Sequence, residues 1–495
     1  MTSNACKKGT FKEETGSVCM ESKKLEMGSR DLISCLPREV LGEILSLLPT
    51  KLAASTSLLS KKWRYLFALV HSLDFDDTVL LQPPPEEGRE ELKESFRNFV
   101  DRRLALQCGC GSRIKKFSLT YLVTNSSDVV DERRWISSVV ERGVLEVDVT
   151  LRPRWLGPVH TDEVHGNCFL PYHLFRSKTL VKLRLGTDTN VGKLPPDVFL
   201  PALKSLFLDT IMFDDQDLSD VLLPGCPMLE ELTVVHKTDF YPNYRISSQT
   251  IKKLTVFYCY DFGIDDGSRI SFDAPSVVSL NYTDYALYEY PLVNLGSLVK
   301  AKLDISYSKT NIKRPDLSGL LVGISNVETL HLSPDSTDLI SRCVKHGLVL
   351  PVFNNLVTLS FGSKNKRGWK LLPYLLKHSP KLETLIIQVM LLFFTNNRNL
   401  LAHFFFFFFP QGLDSYTGDV TIGLFQVKEL HVVGYKGTAK ELQHLKSLLA
   451  GTECIPKMQV EFPEDVVVDD AKMIQTRRDL FILVGVVSTD VAYFE

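Results

Sequence analysis

Twelve times in 495 residues the chain repeats one short phrase: an apolar residue, two others, an apolar residue, one other, an apolar residue. The copies begin at Ile114, Val144, Leu180, Leu203, Leu229, Ile251, Val277, Leu298, Val327, Leu356, Leu382 and Val427. From Leu180 to Leu382 they fall at intervals of 23, 26, 22, 26, 21, 29, 29 and 26 residues. Apolar side chains at alternate positions mark a strand with one covered face, because successive side chains point to opposite sides of an extended backbone. One such strand cannot cover that face alone. Copies stacked side by side can, so the phrase commits most of the chain to a parallel sheet wound as a solenoid.

The spacing is that of leucine-rich repeats, which run from about 20 to 29 residues. Segments such as LPPDVFLPALKSL and GCPMLEEL bring the chain round between strands. The Asn that usually ties carbonyls together inside the turn is missing from most copies, so the solenoid predicted over 111–388 is irregular and loosely curved. Function in such an array lies on side chains pointing away from the core. Lys182, Arg184, Lys204, Phe207, Thr233, Lys253 and Thr255 are the candidates for binding a protein target. Tyr258 and Tyr260, within an aromatic run from Phe257, add candidate anchors, as do the tyrosines between Tyr282 and Tyr290. A plainer account makes these residues solvent-facing positions, with tyrosines covering an imperfect core.

Ahead of the array, residues 31–77 pack three short helical patterns and two breaks into under fifty residues. Pro37 suits a helix start, and Glu39 complements the positive end of the helix. Val40, Leu41, Ile44, Leu45 and Leu48 form one broad apolar stripe before Pro49 ends the helix. Thr50 is placed to cap a second helix and Ser60 a third, in which Trp63, Leu66, Phe67 and Val70 share a face. The unit carries more apolar residues than it can hide, which points to a partner.

These residues resemble a plant F-box. The similarity rests on Leu36-Pro37, Ile44-Leu45 with Leu48-Pro49-Thr50-Lys51, Leu58-Leu59-Ser60-Lys61-Lys62-Trp63-Arg64 and Leu73-Asp74-Phe75-Asp76. More narrowly, the chain resembles proteins that join an F-box to leucine-rich repeats and a C-terminal module called FBD. Arg38, where the family usually has an acidic residue, and Ala53-Ala54 depart from the pattern but leave its apolar anchors in place. The resemblance implies an α/β chain with an N-terminal three-helix F-box over 29–77, an irregular leucine-rich-repeat solenoid and a C-terminal α+β FBD-like cap. It also implies a Skp-type adaptor as partner and, through it, a cullin. Leu36, Pro37, Val40, Leu41, Ile44, Leu45 and Trp63 are then the adaptor contacts. The same residues also serve to pack the three helices together, and Leu58 and Leu66 are expected to be purely internal.

Between the F-box and the array, a Pro-rich linker and a helical pattern through Leu92, Phe96, Val100 and Leu104 occupy 78–110. Between the copies at Leu382 and Val427 the interval doubles to 45, and residues 389–411 include six consecutive phenylalanines. Such a run has neither helical nor strand alternation. Removing it restores an interval of 22, so the segment reads as the translation of an unspliced intron; a buried apolar insertion or membrane-touching loop is the competing view. Residues 412–495 resemble the FBD module, with a strand at 427–433, a helix through Leu442, Leu445 and Leu448, and a second strand at 458–462.

A net charge of -2 offers no electrostatic case for nucleic acid or an anionic membrane. The polar first 28 residues read as a disordered tail without a signal core, and no run is long enough to span a bilayer. Ten scattered cysteines without paired CxxC spacing fit a reduced cytoplasmic or nuclear chain and exclude a zinc framework. His160, His165 and Cys168, and the run Asp214-Asp215 with Asp217, lack the spacing of a metal site. With no phosphate loop or nucleophile elbow either, no catalytic residue, metal or cofactor is expected. The expected function is that of a non-catalytic substrate receptor of a Skp–cullin–F-box ubiquitin ligase. The alternative is a leucine-rich-repeat binding protein or decoy outside a ligase, including a damaged gene product.

Overall fold

The computed structural model describes residues 33, 36–78, 89–110, 113–123, 126–153, 170–213, 216–237, 245–258, 270–286, 289–307, 314–364, 366–388, 427–449, 455–462, 474–475 and 478–479. The tail, Tyr260, His160, His165, Cys168, Asp214, Asp215 and the segment 389–411 lie outside these residues.

The first strands in chain order are β1 (Ser72–Asp76), β2 (Lys116–Val123), β3 (Glu146–Pro153), β4 (Lys182–Gly192), β5 (Ser205–Phe213) and β6 (Glu231–His236). Then come β7 (Arg245–Ser247), β8 (Lys253–Tyr258), β9 (Ser271–Asp273), β10 (Ser279–Tyr285), β11 (Val293–Asn294) and β12 (Lys300–Ser306). The series ends with β13 (Thr329–Leu332), β14 (Thr358–Phe361), β15 (Thr384–Gln388), β16 (Glu429–Val433) and β17 (Lys457–Glu461). All but β7, β9 and β11 join one 14-stranded sheet whose neighbours follow chain order, and those three form a small sheet of their own.

The repeated phrase explains this sheet directly. Each of its twelve leading apolar residues is at most 3% exposed, and the two apolar positions that follow sit in the strand, facing inward. Cross-strand pairing stacks equivalent positions, so Leu183, Leu206, Leu232, Leu254 and Leu280 stand in one row through the core. The row continues through Leu385 of β15, which pairs directly with Leu430 of β16. The doubled sequence interval thus leaves β15 and β16 as direct neighbours in the sheet. The C-terminal strands β16 and β17 therefore extend the same sheet, with α10 (Ala439–Leu449) following β16.

Close stacking of successive turns needs small residues at a few points. At Gly319, a Cβ would sit 2.4 Å from the carbonyl oxygen of Tyr290 in the preceding turn. This glycine lies in the first turn of α6 (Ser318–Gly323), and α7 (Pro334–Lys345) follows β13 with Ser333 as its cap. The Ser333 hydroxyl accepts from the Ser336 amide at 3.1 Å.

The helical head has α1 (Arg38–Ser46), α2 (Thr50–Thr56) and α3 (Lys61–Phe67). Ser60 caps α3 as its position suggests, accepting from the Trp63 amide. Thr50 does not cap α2; Pro49 holds that position, and the Thr50 hydroxyl instead accepts from the Asp74 amide at 2.6 Å. The Ser46 hydroxyl likewise accepts from the His71 amide at 3.1 Å. Both bonds hold the helices to the start of β1, which pairs in parallel with β2. The last residues of the head are thus the first strand of the array.

A further helix, α4 (Arg89–Cys110), clamps this junction together with α5 (Ser126–Glu141). Phe96, Val100 and Leu104 are buried along α4, matching the periodicity. Phe99 packs edge-on to Phe75 of β1 at 5.8 Å between ring centres. Arg103, 1% exposed, lies 4.5 Å over the Phe67 ring and donates from Nη2 to the Val70 carbonyl at 2.9 Å. On the next turns, Lys93 and Arg97 donate to fully buried Asp128 of α5 at 2.6 and 2.7 Å, and Tyr121 donates to it at 2.9 Å. Paired and hydrogen-bonded in this way, buried charges fix geometry more than they add stability.

Candidate functional site

Helix α1 divides its apolar stripe between two faces. Leu41 and Leu45 are 0% and 1% exposed and lie in the core beneath α3. They are not surface contacts, contrary to the expectation from the motif. Leu36, Pro37, Val40 and Ile44 are exposed, as expected of docking residues. One residue of offset turns a helical side chain by roughly 100 degrees, so a stripe this broad must present one edge to water. Trp63 is half-buried against the core. Leu66 is internal as expected, whereas Leu58 is 84% exposed and corrects the reading that placed it inside. Leu47, Leu52, Leu59 and Tyr65 are also exposed, which residue pattern alone did not single out. Exposed apolar groups this concentrated are more than scattered surface residues and make this edge the candidate docking face.

Behind this face, Glu43 of α1 bonds His71 Nε2 at 2.7 Å and accepts from Lys115 Nζ at 3.1 Å. Those hydrogen bonds hold its carboxyl below the usual range. The group is solvent-exposed, so the link orients the head more than it stabilises it.

The second surface is the open face of the main sheet. Lys182 and Lys253 stand there as predicted, but each is paired with its neighbour one strand back: Lys182 with Glu146 at 3.0 Å and Lys253 with Glu231 at 2.6 Å. Arg184 lies 3.8 Å over the ring of Phe207, with Asp148 on its other side. Lys204 is exposed in the turn entering β5. Thr233, Thr255, Asn281 and Thr283 make an uncharged panel in the middle of the face, and Phe257 lies beside it. The Asn281 Oδ1 finds no hydrogen-bond partner among the described residues. Tyr258 is not on this face: it is 2% exposed and packs inward beside His236 at 5.8 Å. Strand alternation accounts for this, since Lys253, Thr255 and Phe257 face out and Leu254, Val256 and Tyr258 face in.

A polar group farther along the face has no signature in any single repeat. Lys302 of β12 pairs across the strands with His331 of β13. Burial pushes both side chains toward their neutral forms, and for His331 the nearby Lys302 adds to the effect. Lys364 holds both carboxylate oxygens of Asp335 at 2.7 Å, and burial raises the Asp338 carboxyl to about 6. Among the described residues no group of three or more His, Cys, Asp or Glu side chains could hold a metal ion. No described helix is long and apolar enough to cross a membrane.

Comparison with known proteins matches both parts of the chain. The F-box domain matches residues 33–74, ending inside β1, and the family described as "FBD-associated F-box protein At5g56370, LRR repeats" matches residues 133–288. The F-box/LRR-repeat protein At3g60040 of Arabidopsis thaliana is 48% identical over 472 residues, covering 92% of this chain and 95% of that protein. The chain belongs to the plant F-box/LRR-repeat family. The F-box/LRR-repeat protein At1g06630 of the same plant is 46% identical over 452 residues, covering 90% of this chain and all of that relative. A third, the putative F-box/LRR-repeat protein At3g44810, is 39% identical over 463 residues. The F-box match thus covers α1 to α3 and the start of β1, and the repeat match covers the strands from β3 to β10.

Proposed function

We propose that this chain is the substrate-recognition subunit of a Skp–cullin–F-box type ubiquitin ligase. A Skp-type adaptor docks on the exposed apolar edge of the F-box, on Leu36, Pro37, Val40 and Ile44 together with Leu47. A protein target lies on the open face of the sheet. The observation that carries this reading is that exposed edge: Leu36, Val40, Ile44 and Leu47 are 37%, 43%, 41% and 85% exposed, while their neighbours Leu41 and Leu45 complete the fold. Burying them on a partner is worth roughly 25 cal/mol per Å² of apolar surface.

The chain's contribution to ubiquitin transfer is positional. Holding a target beside a charged conjugating enzyme raises the effective concentration of its lysines. The Arg103 clamp and the shared strand β1 make that position a fixed one, because the F-box cannot swing on a loose linker. This reading places the chain in the cytoplasm, the nucleus or both. Full-length protein mixed with a purified Skp-type adaptor is expected to elute as a stable complex. Retention of cellular proteins with no adaptor binding would instead make it a binding protein outside a ligase.

A further inference from the structure

The open face of the main sheet changes character at β10. Between β3 and β8 its charges cancel from strand to strand: Glu146 meets Lys182 at 3.0 Å and Glu231 meets Lys253 at 2.6 Å. Asp148 lies 3.8 Å from Arg184, and Asp209 binds Lys237 at 2.8 Å. From β10 to β15 the first outward row reads Ser279, Lys300, Thr329, Thr358 and Thr384 in one cross-strand register, with Lys300 as its one charged member. The second row over the same strands reads Asn281, Lys302, His331, Ser360 and Ile386.

Strand β12 therefore carries two lysines on one side, Lys300 exposed and Lys302 half-buried, with Ala301 turned into the core between them. Alternate residues of a strand stand about 6.6 Å apart. Lys300 forms no ion pair among the described residues. The cross-strand neighbours are uncharged: Ser279 and Asn281 on one side, Thr329 and His331 on the other, with burial and Lys302 holding His331 toward its neutral form. The nearest carboxylates are engaged. Asp304, at the far end of β12, accepts from the Ser333 hydroxyl, and Asp335 is held through both oxygens by Lys364. Burial strips water from the Lys302 ammonium, a cost that an arriving anion offsets.

We propose that β12 is the centre of the target-docking part of this face, and that it takes an extended segment of the target bearing carboxylate side chains at alternate positions. An extended segment laid along β12 presents one side of its own chain every second residue, the same spacing that separates Lys300 from Lys302. The hydroxyl and amide side chains around the two lysines can bond the polar backbone of that segment without adding a competing charge. The lysines of β4 and β8, by contrast, must release Glu146 or Glu231 before they can hold a foreign carboxylate. The proposal rests on the receptor reading and assigns the charge pattern of what that receptor holds.

Fluorescence anisotropy with the full-length protein tests it, using end-capped peptides carrying an uncharged dye. Gly-Glu-Ala-Glu-Ala-Gly is expected to bind saturably, about tenfold tighter than Gly-Gln-Ala-Gln-Ala-Gly and about threefold or more tighter than Gly-Glu-Glu-Ala-Ala-Gly, which has the same charge in the wrong spacing. Lys300→Gln and Lys302→Gln are each expected to weaken that binding about fivefold, and added salt to weaken it further. Lys428→Gln, at a lysine paired with Glu383, is expected to leave it unchanged. Absence of saturable binding overturns the proposal, as does equal binding of the two acidic peptides or indifference to both β12 variants. Equal binding of Gly-Lys-Ala-Lys-Ala-Gly overturns it too, because the face would then not select a negative segment. Adaptor capture is measured on the same preparations: protein that captures adaptor but no acidic peptide refutes only this docking strand, and the reverse result refutes only the ligase reading.

Discussion

Changing Ile44 and Leu47 together to alanine separates surface from core on a single short helix. Ile44 is 41% exposed and Leu47 85%. Full burial of such a side chain is worth roughly 1.5–3 kcal/mol, so scaling by exposure gives about 2–4 kcal/mol of adaptor binding for the pair. That corresponds to a roughly 30- to 700-fold weaker complex. Stability is expected to fall by about 1–2 kcal/mol, nearly all of it from the covered part of Ile44, which leaves the chain folded. Leu45→Ala is the counterpart: at 1% exposure it is expected to cost about 2–5 kcal/mol of folding stability. The assay is calorimetric titration of full-length variants with adaptor, beside thermal unfolding of each. A double variant that stays folded and binds within about threefold of the parent would refute the docking face. One that unfolds would refute the division of α1 into an inner and an outer edge.

Other outcomes follow from the same geometry. His444 of α10 is 2% exposed, packed 4.4 Å from Trp369, and burial pushes its ring down to about 4. Its neutral form is the folded form, so its contribution is whole above the unfolded value near 6.5 and is lost as pH falls toward 4. Between pH 7.5 and 5.5 this residue is expected to account for about 1.3 kcal/mol of lost stability, and His444→Phe should flatten that part of the unfolding profile. An unchanged profile in the variant defeats the assignment. Arg103→Ala is expected to cost about 1–3 kcal/mol by leaving the Val70 carbonyl unpaired, and to raise hydrogen exchange in α3 first, since it unbinds the F-box from α4. Deleting residues 389–411 leaves as many residues between β15 and β16 as join β5 to β6, so the variant is expected to fold and keep the Leu385–Leu430 pairing. Its failure to fold, or transcripts that always carry these codons, would overturn the intron reading.

How the chain announces its array, and where it stays silent, has a physical basis. A half-buried strand must alternate, so the twelve phrases were legible one by one, and the parity that turns Phe257 outward also turns Tyr258 inward. Aromatic density misdirects there, because a large side chain serves a core as well as an interface. The strand β1 was harder to see as part of the array. Leu73 and Phe75 are buried against α4 and β2, partners about twenty to forty residues away, and the short stretch reads equally well as the tail of the helical head. Ile455, fully buried ahead of β17, likewise extends the sheet past the last expected repeat.

Local alternation, then, was enough to dictate the parallel sheet, its inward rows and the helical head, since each depends on a period written within a few neighbouring residues. Folding in three dimensions decided which edge of α1 stays wet and which lysines find carboxylates on the next strand. Those outcomes turn on strand register and helix packing between segments some twenty-five residues apart, and no stretch of chain short enough to read as a motif contains both sides of such a contact.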